Sequence, residues 1–494
     1  MSARKVIVIG GGLAGITAAI GLREAGADVT LVEARPRLGG AASSFARGDM
    51  MIDNGQHVFL RCCTSYQGLL ARLGVTRRVS VQERFDVTVL SPRGTARLRR
   101  NSLPGPLHMG RALAGYRLLS LPERLRVARA ALAMRFVDPA DPALDGTSLG
   151  DWLAARGQNE AARRLMWDLF IVSALNIDGD EASLPLSATV IKTALLGARD
   201  AADIGIADVP LGELHGRATA DLLAKLGAEV RLGARVAAVD RLPGGRFGVK
   251  LESAAGGARL AGGNGSNVPA ADVTELTADG VVLAVPAAQA ARLAGPVGVA
   301  SAGRWDELGY SPIVNVHVVY DRQVTSLPFA AAVESPVQWV FDKTRQAGLA
   351  AGQYLAVSLS AADSYVDVPA ASLREQFLPA LEQLFPAAAG AGIADFFVTR
   401  ERRATFRQAP GIGAIRPGTA TSVPGLVLAG AWTDTGWPDT MEGAVRSGEQ
   451  AAERLTSELT DRPDTAMISS PGRQAAGRAR SAETGVGAPA RGAS

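Results

Sequence analysis

Residues 5–40 read KVIVIGGGLAGITAAIGLREAGADVTLVEARPRLGG, and the rest of the chain is organised around what this stretch holds. Val6–Ile9 is a short β-branched run, the pattern of a buried parallel strand. Gly10, Gly12 and Gly15 follow with G-x-G-x-x-G spacing. The first glycine permits a tight turn, the second lets backbone approach a pyrophosphate, and the third lets the next helix pack close to the sheet. Ile16, Ala19, Ile20 and Arg23 recur at helical spacing, and Gly26 ends the helix. Asp28–Val32 forms a second strand closed by Glu33, about 20 residues beyond the glycines, where an acid binds ribose hydroxyls. The helix start offers free N–H groups and a positive dipole end to phosphates. Strand, turn, helix, strand and acid in register predict a dinucleotide site.

A second glycine pair, Gly39-Gly40, follows within RPRLGG. This pair resembles the GG motif of glutathione-reductase-type flavoproteins and implies FAD rather than NAD. That family places arginine directly after the pair, whereas Ala41 stands here, so a phosphate contact is either missing or supplied elsewhere.

The chain has 494 residues, enough for two or three domains. Its two cysteines are the neighbours Cys62 and Cys63, which argues for free thiols and a reducing compartment. Four scattered histidines give no Cys/His spacing for a metal, and none is expected. The apolar start leads into glycines rather than a cleavage site, and no apolar run is long enough to span a bilayer. The expectation is a cytoplasmic chain, peripheral to the inner face of the cell membrane. Between Arg93 and Arg135 there are ten arginines and one acid, Glu123, a balance of +9 within an overall +4. Such asymmetry predicts an anionic partner for that segment.

After Gly40, residues 41–52 read as a loop, and Asp53-Asn54-Gly55-Gln56-His57 leads into a strand. Tyr66–Leu73 reads as a helix, and Phe85–Leu90 with Thr95–Arg99 as a hairpin. From Leu107 to Ala174 the pattern is helical, with Ser148 placed to cap. Leu211–Leu226 is a helix, and Glu229–Leu232 and Val236–Asp240 are strands. Ser253–Asn267 reads as an insertion loop on a hairpin, and Gly280–Pro286 as a strand rejoining the dinucleotide sheet. Strands at 311–321, 336–343 and 353–360 predict an antiparallel sheet, with a helix at Ser372–Phe385. Leu426–Ala429 is a last strand before GAWTDTGWPDTMEGAVRSG. Asp439 precedes Glu442 by three residues, a capping-box spacing, so a helix is expected from Thr440 to about Leu455. No second GxGxxG lies between a strand and a helix, so no NAD(P)H domain is visible and electrons come from elsewhere.

With both glycine regions, DNGQH and TGWPDTMEGAVRSG in view, residues 4–456 resemble the phytoene-desaturase and amine-oxidase flavoproteins, and among them the hydroxysqualene dehydroxylases. The resemblance implies an α/β and α+β fold. A discontinuous Rossmann-like FAD domain (1–75, 210–295, 405–456) would interleave with a substrate domain of antiparallel sheet plus helices (76–209, 296–404), with a disordered tail from 457. It implies cofactor contacts from Gly10, Gly12, Leu13, Ala14 and Gly15; from Glu33, Ala34 and Arg35; and from Gly39, Gly40 and Ala41. Further contacts are implied at Val236, Gly430, Ala431 and Met441, the last with a backbone N–H toward the flavin pyrimidine. The family's ribityl-binding acid falls where Ala431 stands, and Asp434 is a candidate to replace it. The implied reaction is reductive: hydroxysqualene, a C30 isoprenoid, loses an allylic hydroxyl and takes a hydride from reduced FAD, which an external electron donor regenerates. An acid must assist the hydroxyl. Asp53 and His57 are the titratable residues expected near the flavin; the alternative is that they satisfy backbone groups in a tight loop.

So apolar a substrate suggests delivery from an anionic membrane through residues 93–136. There Leu125, Leu132 and Phe136 would share a stripe flanked by Arg124, Arg129 and Arg135, with Val127, Ala131 and Met134 packed inward. A nucleic-acid partner is not expected, because no aromatic residues interleave with the arginines. Carotenoid-type desaturation, amine oxidation and a non-redox prenyl-chain carrier on the same fold are the rival readings.

Overall fold

The computed structural model describes residues 3–105, 107–253, 259–260 and 274–461. Most of the expected insertion loop at 253–267, and the tail beyond 461, lie outside the described residues.

Lys5–Ile9 runs through the middle of a six-stranded sheet. Asp28–Glu33 pairs with it on one side and Gly280–Leu283 on the other, all parallel. Glu229–Leu232 and Leu426–Leu428 extend the parallel set outward, and Arg259–Leu260 closes one edge antiparallel. The β-branched runs are buried on both faces: Val6 and Val8 enter one core, Ile7 and Ile9 another. Parallel strands flanked by such cores require apolar residues at successive positions, which is why this part was legible as unbroken runs.

Helix Leu13–Glu24 leaves the first strand through the glycine turn, and the last helix, Met441–Thr460, crosses it. The crossing is close because Gly448 has no side chain: a Cβ there would stand 2.3 Å from the Ala14 carbonyl oxygen. Gly21 meets Ala452 in the same way, with 2.9 Å to its Cβ. The last helix runs beyond the expected Leu455 and past 457, where a tail was expected, because Leu455 and Leu459 continue its buried stripe.

A second, seven-stranded sheet is built from Ile393–Thr405, Ser311–Tyr320, Gln353–Leu359, Trp339–Asp342, Phe329–Ala332, Asp86–Ser91 and Gly94–Arg99, in that order. The predicted hairpin at 86–99 joins it through a parallel pairing of Val89 with Ala331. Strand alternation sorts its side chains. Val314, Val316, Val340 and Val357 pack with Leu373, Phe377 and Leu381 of helix Ala370–Leu384. Ile313, Trp339, Phe341 and Ser358 emerge on the opposite face.

The stretch 41–52, expected as a loop, contains a hairpin: Ser44–Arg47 pairs with Met50–Asp53 around Gly48, whose φ is +55°. Its end is locked by Asp53. That carboxylate accepts from Ser44 Oγ at 2.7 Å and Leu211 N at 2.9 Å, and meets Lys343 Nζ at 3.0 Å, with both partners buried.

Gly448→Val would push a branched side chain onto the Ala14 carbonyl. It is expected to destabilise by about 1–3 kcal/mol, the usual cost of overpacking, read as a lower denaturation midpoint. Lys343→Met would strand the Asp53 charge and is expected to cost about 3–5 kcal/mol. Adding Asp53→Asn should recover most of that loss; a single variant as stable as the parent would show that water solvates the pair.

Candidate active site

The two helix starts and the inner face of the seven-stranded sheet enclose a cavity of about 1140 Å³. That exceeds the roughly 300–1,000 Å³ usual for one drug-sized ligand, which leaves room for a dinucleotide and a second molecule.

At one end lies the glycine turn. Gly39 N donates to Gly11 O at 2.8 Å, and Gly12 bridges Gly39, so the second glycine pair lies against the first turn. A Cβ on Gly40 would stand 2.8 Å from Gly12 Cα. Helix Leu13–Glu24 has Gly12 at its cap and no side chain accepting from its first N–H groups. Those donors are what an anionic diphosphate satisfies. Glu33 accepts from Gly11 N and Arg35 N, each at 2.7 Å, which holds its carboxylate at the strand end.

The predicted contacts largely converge here. Gly10, Gly12, Leu13 and Ala14 line the cavity with Glu33, Ala34 and Arg35. Gly39, Gly40, Ala41 and Val236 continue the wall, as do Gly430, Ala431, Met441 and His57. Gly15 does not reach it; a Cβ there would sit 1.9 Å from Gly10 O, so this glycine serves the turn itself. Asp53 does not reach it either, being held in the buried pair with Lys343. Asp434 is exposed and accepts from Gly436 N in its own turn, so no carboxylate from it stands beside Ala431.

His57 has Nδ1 3.1 Å from the Gly55 carbonyl oxygen, so that nitrogen carries the proton and donates. Burial lowers its pKa against the pull of that carbonyl and of Asp53, which keeps the ring neutral at pH 7. It is therefore an acceptor rather than a proton source. His215 is a second neutral ring, pushed down to about 4 by burial. It lies 3.1 Å from Ala42 O and 2.8 Å from Tyr66 Oη, and so pins the chain after the second glycine pair.

The far-end loop is set by a residue that no sequence motif singled out. Arg416 is buried and donates to the carbonyls of Ala431 at 3.1 Å, Thr433 at 2.5 Å and Trp437 at 2.9 Å. Its guanidinium also lies over Phe406, 4.9 Å from the ring centre. The helix beyond this loop is capped by Thr440, which accepts from Gly443 N at 3.2 Å, and not by the expected Asp439–Glu442 box. Glu442 instead accepts from Ser65 N and Tyr66 N and pairs with Arg446. Met441 and Glu442 thus begin the helix at the cavity wall.

Asp439, released from capping, lines the cavity and accepts from Phe406 N at 2.9 Å. Burial pushes its carboxyl up to about 6, against the Phe406 N–H and the Arg416 cation. Around it the wall is largely apolar and aromatic. Phe329, Trp339 and Phe341 form one cluster, with Trp339 and Phe341 stacked 6.2 Å apart; Phe85 and Phe170 form another at 6.3 Å. Trp432 is tied to Val285 O at 3.0 Å and packed on Trp305, so it belongs to the frame.

Residues 13–456 match the sequence profile of the flavin containing amine oxidoreductases. The chain is 29% identical over 478 residues to a hydroxysqualene dehydroxylase of Rhodopseudomonas palustris, covering 91% of this chain and 98% of that one. It is 25% identical to a zeta-carotene desaturase of Arabidopsis thaliana, covering 91% and 85%. Among solved structures, cyclohexylamine oxidase from Brevibacterium oxydans superposes with a TM-score of 0.68 at 21% identity, over 93% of this chain and all of that one. Putrescine oxidase bound to putrescine gives 0.66 at 19%, over 92% and 99%. The glycine cradle, the unfilled helix start, Glu33 and the Met441 helix start fit the cofactor of such enzymes, and the chain belongs to the flavin containing amine oxidoreductase family as an FAD-dependent oxidoreductase.

Proposed function

We propose that this enzyme removes the allylic hydroxyl of hydroxysqualene reductively, giving squalene. The observation that carries the reading is a carboxyl with a raised pKa, Asp439, set in a largely apolar and aromatic cavity beside the start of the Met441 helix. Relatives named hydroxysqualene dehydroxylase support it.

Reduced FAD, when bound, supplies a hydride from N5. The chain's own residues do the rest. Asp439, protonated, gives its proton to the departing hydroxyl, which leaves as water; the C–O bond breaks and a delocalised allylic cation remains. With that hydride a C–H bond would form at the cation, the substrate gaining the two electrons that the reduced cofactor supplies, and Asp439 would be left as carboxylate. The apolar walls exclude water that would otherwise trap the cation. The faces of Trp339, Phe341 and Phe329 offer it ring electron density. Arg416 holds the 431–437 loop, and with it Asp439, at the cavity. Regeneration of the reduced cofactor would require an external two-electron donor.

Anaerobic mixing of dithionite-reduced holoenzyme with hydroxysqualene should reoxidise the flavin with squalene formed in equal amount. Reoxidation with phytoene or an amine instead, or none with hydroxysqualene, would reject the assignment. Because an acid must be protonated to act, the reoxidation rate should fall about tenfold per pH unit above about 6. Asp439→Asn should lower it by about 10²–10⁴-fold and flatten that limb while the flavin spectrum is unchanged. A variant with the parental rate and profile would place the proton source elsewhere.

A further inference from the structure

The ten arginines of 93–135 divide into two groups. Arg93 pairs with Glu334, Arg97 and Arg99 with Asp86, and Arg100 with Asp203. Their charge is neutralised within the fold. Arg124 is also engaged, donating to the Leu119 and Ala114 carbonyls. By contrast, Arg111, Arg117, Arg126, Arg129 and Arg135 make no ion pair among the described residues, and all five are exposed. Glu123, the one acid in the segment, is consumed by the capping box with Ser120 and by Asn159.

Apolar exposure falls in the same place. Six of the eight large hydrophobic side chains exposed among the described residues lie between 103 and 136: Leu103, Leu107, Leu121, Leu125, Leu132 and Phe136. Phe136 is 89% exposed. Helix Leu121–Met134 turns Val127, Ala130 and Met134 inward and Leu125 and Leu132 outward, so its outer face is apolar with arginines at its edges. A solvated surface helix reverses that order. The inner face packs on helix 184–196, where Lys192 Nζ donates to Val137 O at 2.7 Å. That helix supplies Thr189, Val190, Thr193 and Ala194 to the cavity wall. The exposed face is thus one helix away from the cavity.

We infer that the face formed by Leu103, Leu107, Leu121, Leu125, Leu132 and Phe136, ringed by Arg111, Arg117, Arg126, Arg129 and Arg135, docks on an anionic lipid bilayer. The apolar side chains enter the acyl boundary and the arginines reach the headgroup phosphates. No helix among the described residues is long and apolar enough to cross a membrane, so the contact is with one leaflet surface. Unpaired charge selects this occupant over a second copy of the chain, since two such faces would oppose arginine to arginine. The inference rests on the surface alone and does not require the substrate assignment.

Flotation of the full-length holoenzyme with vesicles tests it. Binding is expected with phosphatidylcholine vesicles containing phosphatidylglycerol and not with phosphatidylcholine alone, and should fall with added salt. Arg126→Ala/Arg129→Ala/Arg135→Ala should weaken binding on the order of a hundredfold, about fivefold per arginine. Leu132→Ser/Phe136→Ser should weaken it with every charge in place, which separates insertion from simple adsorption. All five positions are exposed, so flavin content and melting temperature should stay parental. Equal binding to neutral and anionic vesicles, no binding, or variants that bind as the parent does would overturn the proposal. So would a parental dimer that Phe136→Ser dissociates without any vesicle binding.

Discussion

The close crossing of the first and last helices sets the geometry of the whole site. Gly448 lies directly over the Ala14 carbonyl, and nothing larger than hydrogen fits between them. The contact joins segments more than 400 residues apart in sequence, about as long-range as this chain allows. It brings two helix N-termini, at Leu13 and Met441, to one cavity. Each presents the positive end of a dipole, to which an anionic diphosphate and an electron-rich flavin ring would be complementary. The glycines at 10, 39 and 40 let the turns beside the first helix start pack closely, since a Cβ would stand 2.2 Å from Ala284 O, 2.9 Å from Ala42 O and 2.8 Å from Gly12 Cα.

Around that frame, buried polar groups clamp the loops that secondary structure leaves free. Neutral His215 ties Ala42 to Tyr66. Asp53 ties its hairpin to Leu211 and Lys343. Arg416 gathers four carbonyls of the loop before the last helix, those of Ala431, Trp432, Thr433 and Trp437, and makes no ion pair among the described residues. A buried group of this kind is costly unless satisfied, so each one specifies a single loop conformation. The clamping side chains of His215, Asp53 and Arg416 are not among the cavity-lining residues, whereas His57, Glu401, Arg403 and Asp439 line the cavity together with the aromatic rings.

The seven-stranded sheet divides its residues by alternation between a helix-covered core and the cavity. Its inner face carries Trp339, Phe341 and Phe329, and with them the apolar character of the site. A single sheet therefore serves as both core and active-site wall, and a one-residue slip in register would exchange the two faces.

Sequence alone settles the βαβ turn, its acid, the second glycine pair, the strand returning at Gly280, the alternating strands after 311 and the outward stripe of Leu125, Leu132 and Phe136. These are set by neighbours a few residues away, and steric rules for glycine and the periods of strand and helix read them directly. Tertiary packing, and nothing local, chose which titratable groups face the cavity. Asp53 and Asp439 look alike in sequence, each an acid beside a turn. One is withdrawn by Lys343, some 290 residues on, and the other is freed when Thr440 caps in its place. The arginines from 93 to 135 are equally alike in sequence, and partners at Asp86, Asp203 and Glu334 silence four of them. Charge and hydrogen bonding are settled by contacts through space, and no local period encodes those.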